Sequence, residues 1–515
     1  MSKKYEIIIN FFIYTLIFSS IYLGYNHGIS SQDYHHSFYI LSTLLDYQNG
    51  LRLYKDIFLQ YGPGQVILFN FLSNFIKINL TSISLITSIV YALNLFILFK
   101  IFKKFLPMNI SFYFILIIFL IHPYNIYPWP DYFSGFCVTS FFYFFLNQNL
   151  KINYFFSSLF LFLAVFFRST YLIGILLSII SYCVLLLVLN EKNTIKNIFV
   201  YFFSFLSFFF IILIYLGSIQ AWYEQSIGQI SVYAGTTKHI ELYDKITAYI
   251  GEFGFIVLKI GYYFINSSLK LFNFLNFENL PFIFFILVNF YYIFLVFVKK
   301  IEMTDENKKF IFISILGLFG FIQALVLMEI FRIVNSMMGI FVTGLFLVKN
   351  IKVENFLKKN SKVIFSISII YCIFLFTKFP LDSFNENNYT KFDNKYFLNK
   401  KLTPEVKLYY INLADFVCNK DNILISNISW DPSIPFICNK KKIKVQISTL
   451  SPPFLKKIKP SEHERLFINH ELYENELLFT DIKIDNPSKV VIIKKFKNHH
   501  KSYSWWNDIY VYKKS

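Results

Sequence analysis

Long apolar runs separated by short lysine-bearing breaks fill the first 380 residues. A helix needs roughly 20 apolar residues to cross the hydrocarbon core, so the pattern is that of a polytopic α-helical membrane protein. The first run, 7–23, follows Lys3 and Lys4 and lacks a small-residue cleavage site, so it reads as a retained signal anchor. Lys and Arg gather at the cytoplasmic ends of spans. Lys3 and Lys4, and the cluster Lys100, Lys103 and Lys104, therefore fall inside, and everything between about 26 and 81 falls outside. Further breaks at 147–151, 191–196, 299–309 and 349–362 go inside; those at 122–131, around Arg168, at 220–245 and at 329–332 go outside. Eleven spans satisfy this alternation, the last at about 363–379, while 246–270 either lies flat on the membrane or crosses it. Gln65 to Ile76 is apolar but covers only about 12 residues, too few to cross, so it is expected to be an interfacial helix.

The pattern changes after 380. Polar residues increase, and strand-like runs occur at 422–426, 442–447, 489–493 and 508–512, the first preceded by a helical pattern from Thr403 to Phe416. Alternating helix and strand signals predict a small α/β domain over 381–515, placed outside by the span count. Cys418 and Cys438 lie in it and either pair in an oxidising compartment or remain two thiols. Cys137, Cys183 and Cys372 fall in spans and read as apolar filler.

Composition adds to this picture in one respect. The chain has 515 residues, 56% of them hydrophobic and 21% aromatic, and a net charge of +18. Lysines flanking spans and facing anionic lipid account for that charge without nucleic acid. No Gly-rich phosphate loop, paired CxxC or HExxH signature occurs.

The candidate chemistry gathers in the outer breaks. Asp33 stands just beyond the first span, in Gln32-Asp33-Tyr34-His35-His36, where an ionisable group must be solvated, paired or used. An amphipathic stretch to Gly50 follows, then Tyr54-Lys55-Asp56-Ile57-Phe58 and Tyr61-Gly62-Pro63-Gly64. This order of span, acidic residue, surface helix and Gly-Pro turn points to a site built at the membrane face. Asp131 closes a Pro- and aromatic-rich loop, 122–131, that contains Tyr127 and Trp129. Arg168 and Arg332 sit at outer turns, where a guanidinium fork suits a lipid-linked phosphate. The plainer readings are helix capping for both aspartates, snorkelling for the arginines or pairing of Arg332 with Glu329, and belt aromatics for Tyr127 and Trp129. Asp56 pairs with Arg52 or Lys55.

The residues in 30–65 resemble the GT-C glycosyltransferases, a family that includes protein O-mannosyltransferases and the lipid A aminoarabinose transferase. The resemblance covers about 1–380, and the eleven-span plan with an outer C-terminal domain is also the family's. It implies an inverting transfer of sugar from a polyprenyl-phosphate donor to an envelope glycan, lipid or protein acceptor, outside a bacterial cytoplasmic membrane. It assigns Asp33 as catalytic base, Asp131 as a second acidic or acceptor site, and Arg332, Arg168 and Lys55 to the donor phosphate. Tyr127 and Trp129 are then available to stack on sugar. Where many members have a second acidic residue beside the first, this chain has Tyr34 and His35, so the motif does not support a divalent metal. His35 and His36 diverge by about 100° on a helix and do not readily share an ion with Asp33. A lipid or solute transporter and an envelope polysaccharide polymerase are the alternatives. Polar chemistry at one face, without duplicated halves, argues against the transporter.

Overall fold

The computed structural model describes residues 3–30, 35–57, 59, 61–122, 124, 126, 128–147, 151–190, 192–216, 219–220, 222, 225, 280–298, 301–302, 304–324, 330–350, 370, 394–397, 400–428, 433–438, 445–447, 460–481, 483–484, 488–497 and 508–515. Asp33, Tyr127, Glu329, Cys372, Trp505 and Trp506, the 246–270 stretch, most of the last expected span and the boundary expected at 380 lie outside the described residues.

The membrane part is built from helices. They are α1 (Lys3–Ser30), α4 (Leu80–Phe105), α5 (Met108–Ile121), α6 (Pro130–Leu146), α7 (Lys151–Phe167), α8 (Tyr171–Val188), α9 (Lys192–Tyr215), α10 (Leu280–Phe297), α11 (Asp305–Ala324), α12 (Ile330–Ser336) and α13 (Met338–Asn350). Among the described residues, 6–30, 80–105 and 171–188 are long and apolar enough to cross a membrane, with shorter apolar helices at 110–121, 155–167, 203–215 and 282–297. Between α1 and α4 lie α2 (His35–Gln48) and α3 (Gly64–Leu72). The latter is too short to span, and it ends in an exposed apolar tip with Phe71 at 59% and Phe75 at 70% exposure. That is the geometry expected of an interfacial helix.

The turns sort to two ends, in the grouping expected from the lysine pattern. At one end Lys103 Nζ lies 3.2 Å from Glu6 Oε1, Lys104 donates to Leu146 O at 3.3 Å, and the Tyr182 hydroxyl donates to Lys308 O at 2.7 Å. The opposite end carries 122–131, the Arg168 turn and Arg332. Between them, buried Asn289 stitches helices together: its amide donates to Ile340 O at 3.0 Å and its carbonyl accepts from Ser314 Oγ at 2.7 Å. In an apolar medium such groups must find partners within the bundle. Helices α1 and α4 pack closely where Gly28 presses on Ser84.

The C-terminal unit begins with α14 (Pro404–Val417), capped by Thr403, whose hydroxyl accepts from Val406 N. It continues with β1 (Ile423–Asn427), α15 (Ile434–Ile437), β2 (Val445–Ile447), β3 (Glu476–Thr480), β4 (Val490–Phe496) and β5 (Ile509–Lys514). The sheet order is β2-β1-β3-β5-β4, parallel from β2 to β3 and antiparallel from β3 to β4. The sequence pattern marks four of these strands and misses β3. Every residue of β3 is buried, so it has no polar alternation to betray it. Cys418 and Cys438 are joined in a disulfide, which decides between the two readings left open for them.

A side chain at Gly28 would overlap Ser84. Gly28→Ala should therefore cost about 1–3 kcal/mol through overpacking, seen as a lower thermal midpoint of the detergent-solubilised protein. Adding Ser84→Gly should recover part of the loss.

Candidate functional site

The floor of the site is the start of α6. Trp129 is its N-cap residue and makes no side-chain cap; Pro130 is the first helical residue and Asp131 follows in the first turn. Asp131 is therefore not the cap that the plainer reading makes it. Its carboxylate is fully buried. The positive end of the helix dipole favours a negative charge there, but complete burial requires a paired cation. Arg168, at the end of α7, supplies it: its Nη1 pairs with Asp131 Oδ1, and its Nε donates to Thr170 Oγ1 at 3.0 Å. Arg332 comes from α12 and lays its guanidinium over the Trp129 ring, 4.3 Å from the centroid, a cation–π contact. Two guanidinium groups and one carboxylate, all buried, thus meet at one end of the bundle and carry a net positive charge among the described residues.

The roof is the segment between α1 and α4, the first outer loop of the charge reading. Tyr54 is buried and holds a left-handed backbone, φ 65°, a conformation costly for a bulky residue. Its hydroxyl lies 3.2 Å from Tyr61 O and 3.3 Å from Ser169 Oγ, and its carbonyl accepts from Gln225 Nε2. Trp222 Nε1 donates to the same Ser169 oxygen at 3.3 Å. Gly62 N–H donates to Phe167 O at 3.1 Å, and a Cβ at Gly62 would overlap the Phe166 carbonyl, so only glycine permits this approach. Gln65 Nε2 donates to Pro128 O at 3.0 Å, and Tyr61 meets Trp129 edge to face at 4.9 Å. The loop thus rests on both the Arg168 turn and the Trp129–Asp131 corner. Lys55 is exposed on it. Asp56 pairs with Arg52 at 3.1 Å. Partial burial tends to raise its pKa, but the Arg52 backbone N–H and guanidinium together hold it below the usual carboxylate range.

The 122–131 loop is anchored by His122. Burial, with His27 adding to it, pushes this imidazole down to about 3, so it is neutral. Its Nδ1 accepts from Tyr124 N at 2.9 Å. The proton therefore sits on Nε2, which lies 3.1 Å from the Tyr132 hydroxyl. Tyr91 packs against the same ring at 4.3 Å.

Of the residues predicted for the site, the structure brings together Asp131, Arg168, Arg332 and Trp129. One face of Trp129 is taken by Arg332. Sequence reasoning passed over Ser169, Gln65, His122, Trp222 and Gln225. A visible signal existed for Gln65, an amide opening an apolar run, and for His122, a histidine at a span end. Among the described residues, no group of three His, Cys, Asp or Glu side chains is placed to hold a metal ion.

No protein-family model matches the sequence, and no curated protein matches it. Among solved structures, the chain is similar to ArnT from Cupriavidus metallidurans bound to undecaprenyl phosphate. The TM-score is 0.52 over 99% of this chain and 98% of that one, at 9% sequence identity. At this identity the likeness is one of fold, and the architecture is GT-C-like.

Removing Arg168 strands a buried carboxylate. Arg168→Met should destabilise the protein by about 3–5 kcal/mol, and the double variant Arg168→Met/Asp131→Asn should be more stable than the single one; thermal midpoints in detergent check both. Asp46, in α2, is raised by burial from 3.8 to about 7. Its protonated form is the one the fold favours, so its stabilising contribution is complete below pH 3.8 and is lost as pH rises to about 7. The Asp46→Asn protein should lack that part of the pH dependence of the thermal midpoint.

Proposed function

We propose that this chain is an inverting glycosyltransferase. In this reading it moves a sugar from a polyprenyl-phosphate donor to a hydroxyl of an envelope glycan, lipid or protein on the extracytoplasmic face of a bacterial cytoplasmic membrane. The observation that carries the reading is the pair of buried arginines at the start of α6 beneath the first outer loop, Arg168 on Asp131 and Arg332 on Trp129. A lipid-linked phosphate arrives at the depth of the helix ends, and planar guanidinium groups bind its oxygens in pairs. The fold shared with a structure holding undecaprenyl phosphate supports a donor of the same kind.

In the proposed step the acceptor oxygen bonds to the anomeric carbon while the bond from that carbon to the phosphate oxygen breaks. The phosphate keeps the electron pair and leaves as polyprenyl phosphate. The acceptor's proton passes to the carboxylate of Asp33. A single displacement inverts the configuration. Asp33 follows the last residue of α1 by three positions and precedes α2 by two. Such a base needs only hydrogen-bond reach and a modest pKa, because proton transfer can be late. Arg332 and Arg168 receive the phosphate and Lys55 adds a cation from the loop. Asp131 holds the Arg168 fork in place and stands as the second acidic site. Tyr127, and the part of Trp129 not covered by Arg332, are proposed to touch the sugar.

The sidedness follows from the same reading. The end with Lys103, Lys104 and Glu6 faces the cytoplasm by the charge rule, and residues 381–515 form an extracytoplasmic domain. The disulfide there suits an oxidising compartment.

The decisive assay compares wild type with Asp33→Asn, each folded in native lipid extract, and follows release of free polyprenyl phosphate in the presence of envelope acceptor fractions. Loss of a base should cut release by about 100-fold or more. Equal release would remove Asp33 from the chemistry, and no release by wild type with any donor would put transport ahead of transfer.

A further inference from the structure

A helix leaves its last four carbonyls without intrahelical donors. In α1 they are met in an unusual way. Ser30 Oγ turns back to Asn26 O at 3.0 Å and His27 O at 3.2 Å. The next two carbonyls are met from the C-terminal unit: Lys400 Nζ donates to Gly28 O at 2.6 Å, across a sequence separation of 372, and the Lys401 backbone N–H donates to Ile29 O at 2.8 Å. Lys400 is only 2% exposed. Burying an ammonium is costly, and this one sits where the helix dipole is most negative.

The same short segment grips the rest of the first outer loop. The loop's far root is held by Leu80 N–H, which donates to Tyr396 O at 3.1 Å. Its first helix is held by Phe38, whose ring packs with Phe397 at 5.2 Å and Phe436 at 5.1 Å. Phe436 in turn rests on Tyr396 at 4.9 Å. Asn394 donates to the carbonyls of Phe436 and Ile437, each at 2.8 Å, and the adjacent Cys438 is tied to Cys418. A unit that only selected acceptors would need none of these contacts. Together they fix both roots and the first helix of the loop that carries Asp33.

We propose that Lys400 is a positioning residue for the transfer reaction, an inference that rests on the transferase reading above. Its ammonium determines where α1 ends and therefore where the outer loop begins. The two guanidinium groups proposed for the donor's phosphate come from the turn after α7 and from α12, and only the exposed Lys55 would be added to them from the loop. Replacing Lys400 should change the approach of the base to the reacting carbon far more than it changes donor binding.

The test uses the full chain in lipid, with native lipid extract as donor at a series of dilutions, an envelope fraction as acceptor, and free polyprenyl phosphate as the readout. Lys400→Met should lower kcat per folded enzyme by about 10- to 100-fold, with the apparent donor KM within about three-fold of wild type, because small misplacements of a reacting group are expensive. Lys400→Arg, which keeps the charge, should recover most of the rate. Where the Met variant does not fold, Lys400→Gln makes the same comparison, since it keeps a donor for Gly28 O without the charge. An unchanged kcat per folded molecule in the Met or Gln variant, or an Arg variant as slow as either, overturns the proposal. Absence of release by wild type is a failure of the transferase reading instead, and is distinguished by that.

Discussion

A carboxylate buried in the first turn of α6 can persist only because Arg168 meets it, and much of the outer end follows from that pair. The ion pair fixes the start of α6 against the turn between α7 and α8. That turn presents Ser169, on which the hydroxyl of Tyr54 and the indole of Trp222 converge. Tyr54 in turn fixes the first outer loop, and Gln65 of that loop returns to Pro128, three residues before Asp131. The circuit is closed: Arg168 holds Asp131, its turn receives Tyr54 and Trp222, and Gln65 returns to the α6 corner. In a low-dielectric region this closure is what keeps the groups charged and oriented.

Two buried tyrosines, Tyr54 and Tyr124, stand in left-handed backbone at φ 65° and 53°. Each is in one of the two outer loops that border the site. Strain of this kind costs of order 1–3 kcal/mol per residue and survives only where surrounding contacts over-determine it. Tyr54 has its hydroxyl and carbonyl both engaged, and Tyr124 has its N–H on His122 and its ring against Phe119 at 5.1 Å. The loops are therefore shaped by their contacts, against their local preference.

This explains what was legible in the sequence. Helix positions, the sorting of turns to two ends and the shortness of α3 follow from hydropathy and lysine placement, which are properties of the bilayer as solvent. The convergence of Asp131, Arg168 and Arg332 was legible as a shared end, since ionisable residues at span ends are few enough to stand out. Their pairing was not, because it depends on which helices touch. β3 was illegible because a fully buried strand has no alternation. Lys400 was illegible for a different reason: in a lysine-rich tail nothing in the sequence distinguishes it from its neighbours.

The capping of α1 has a consequence for assembly. The carbonyls of Gly28 and Ile29 belong to the first helix made, and their donors, Lys400 and Lys401, to a segment synthesised 372 residues later. Unpaired carbonyls at a helix end are tolerable at the wet edge of a membrane, where water serves them, and costly once the C-terminal unit covers that edge. The outer end of α1 is consequently completed only when residues 394–401 dock. The segment between α1 and α4 is therefore held from two sides, at its roots by the C-terminal unit and in its middle by the Arg168 turn and the Trp129 corner.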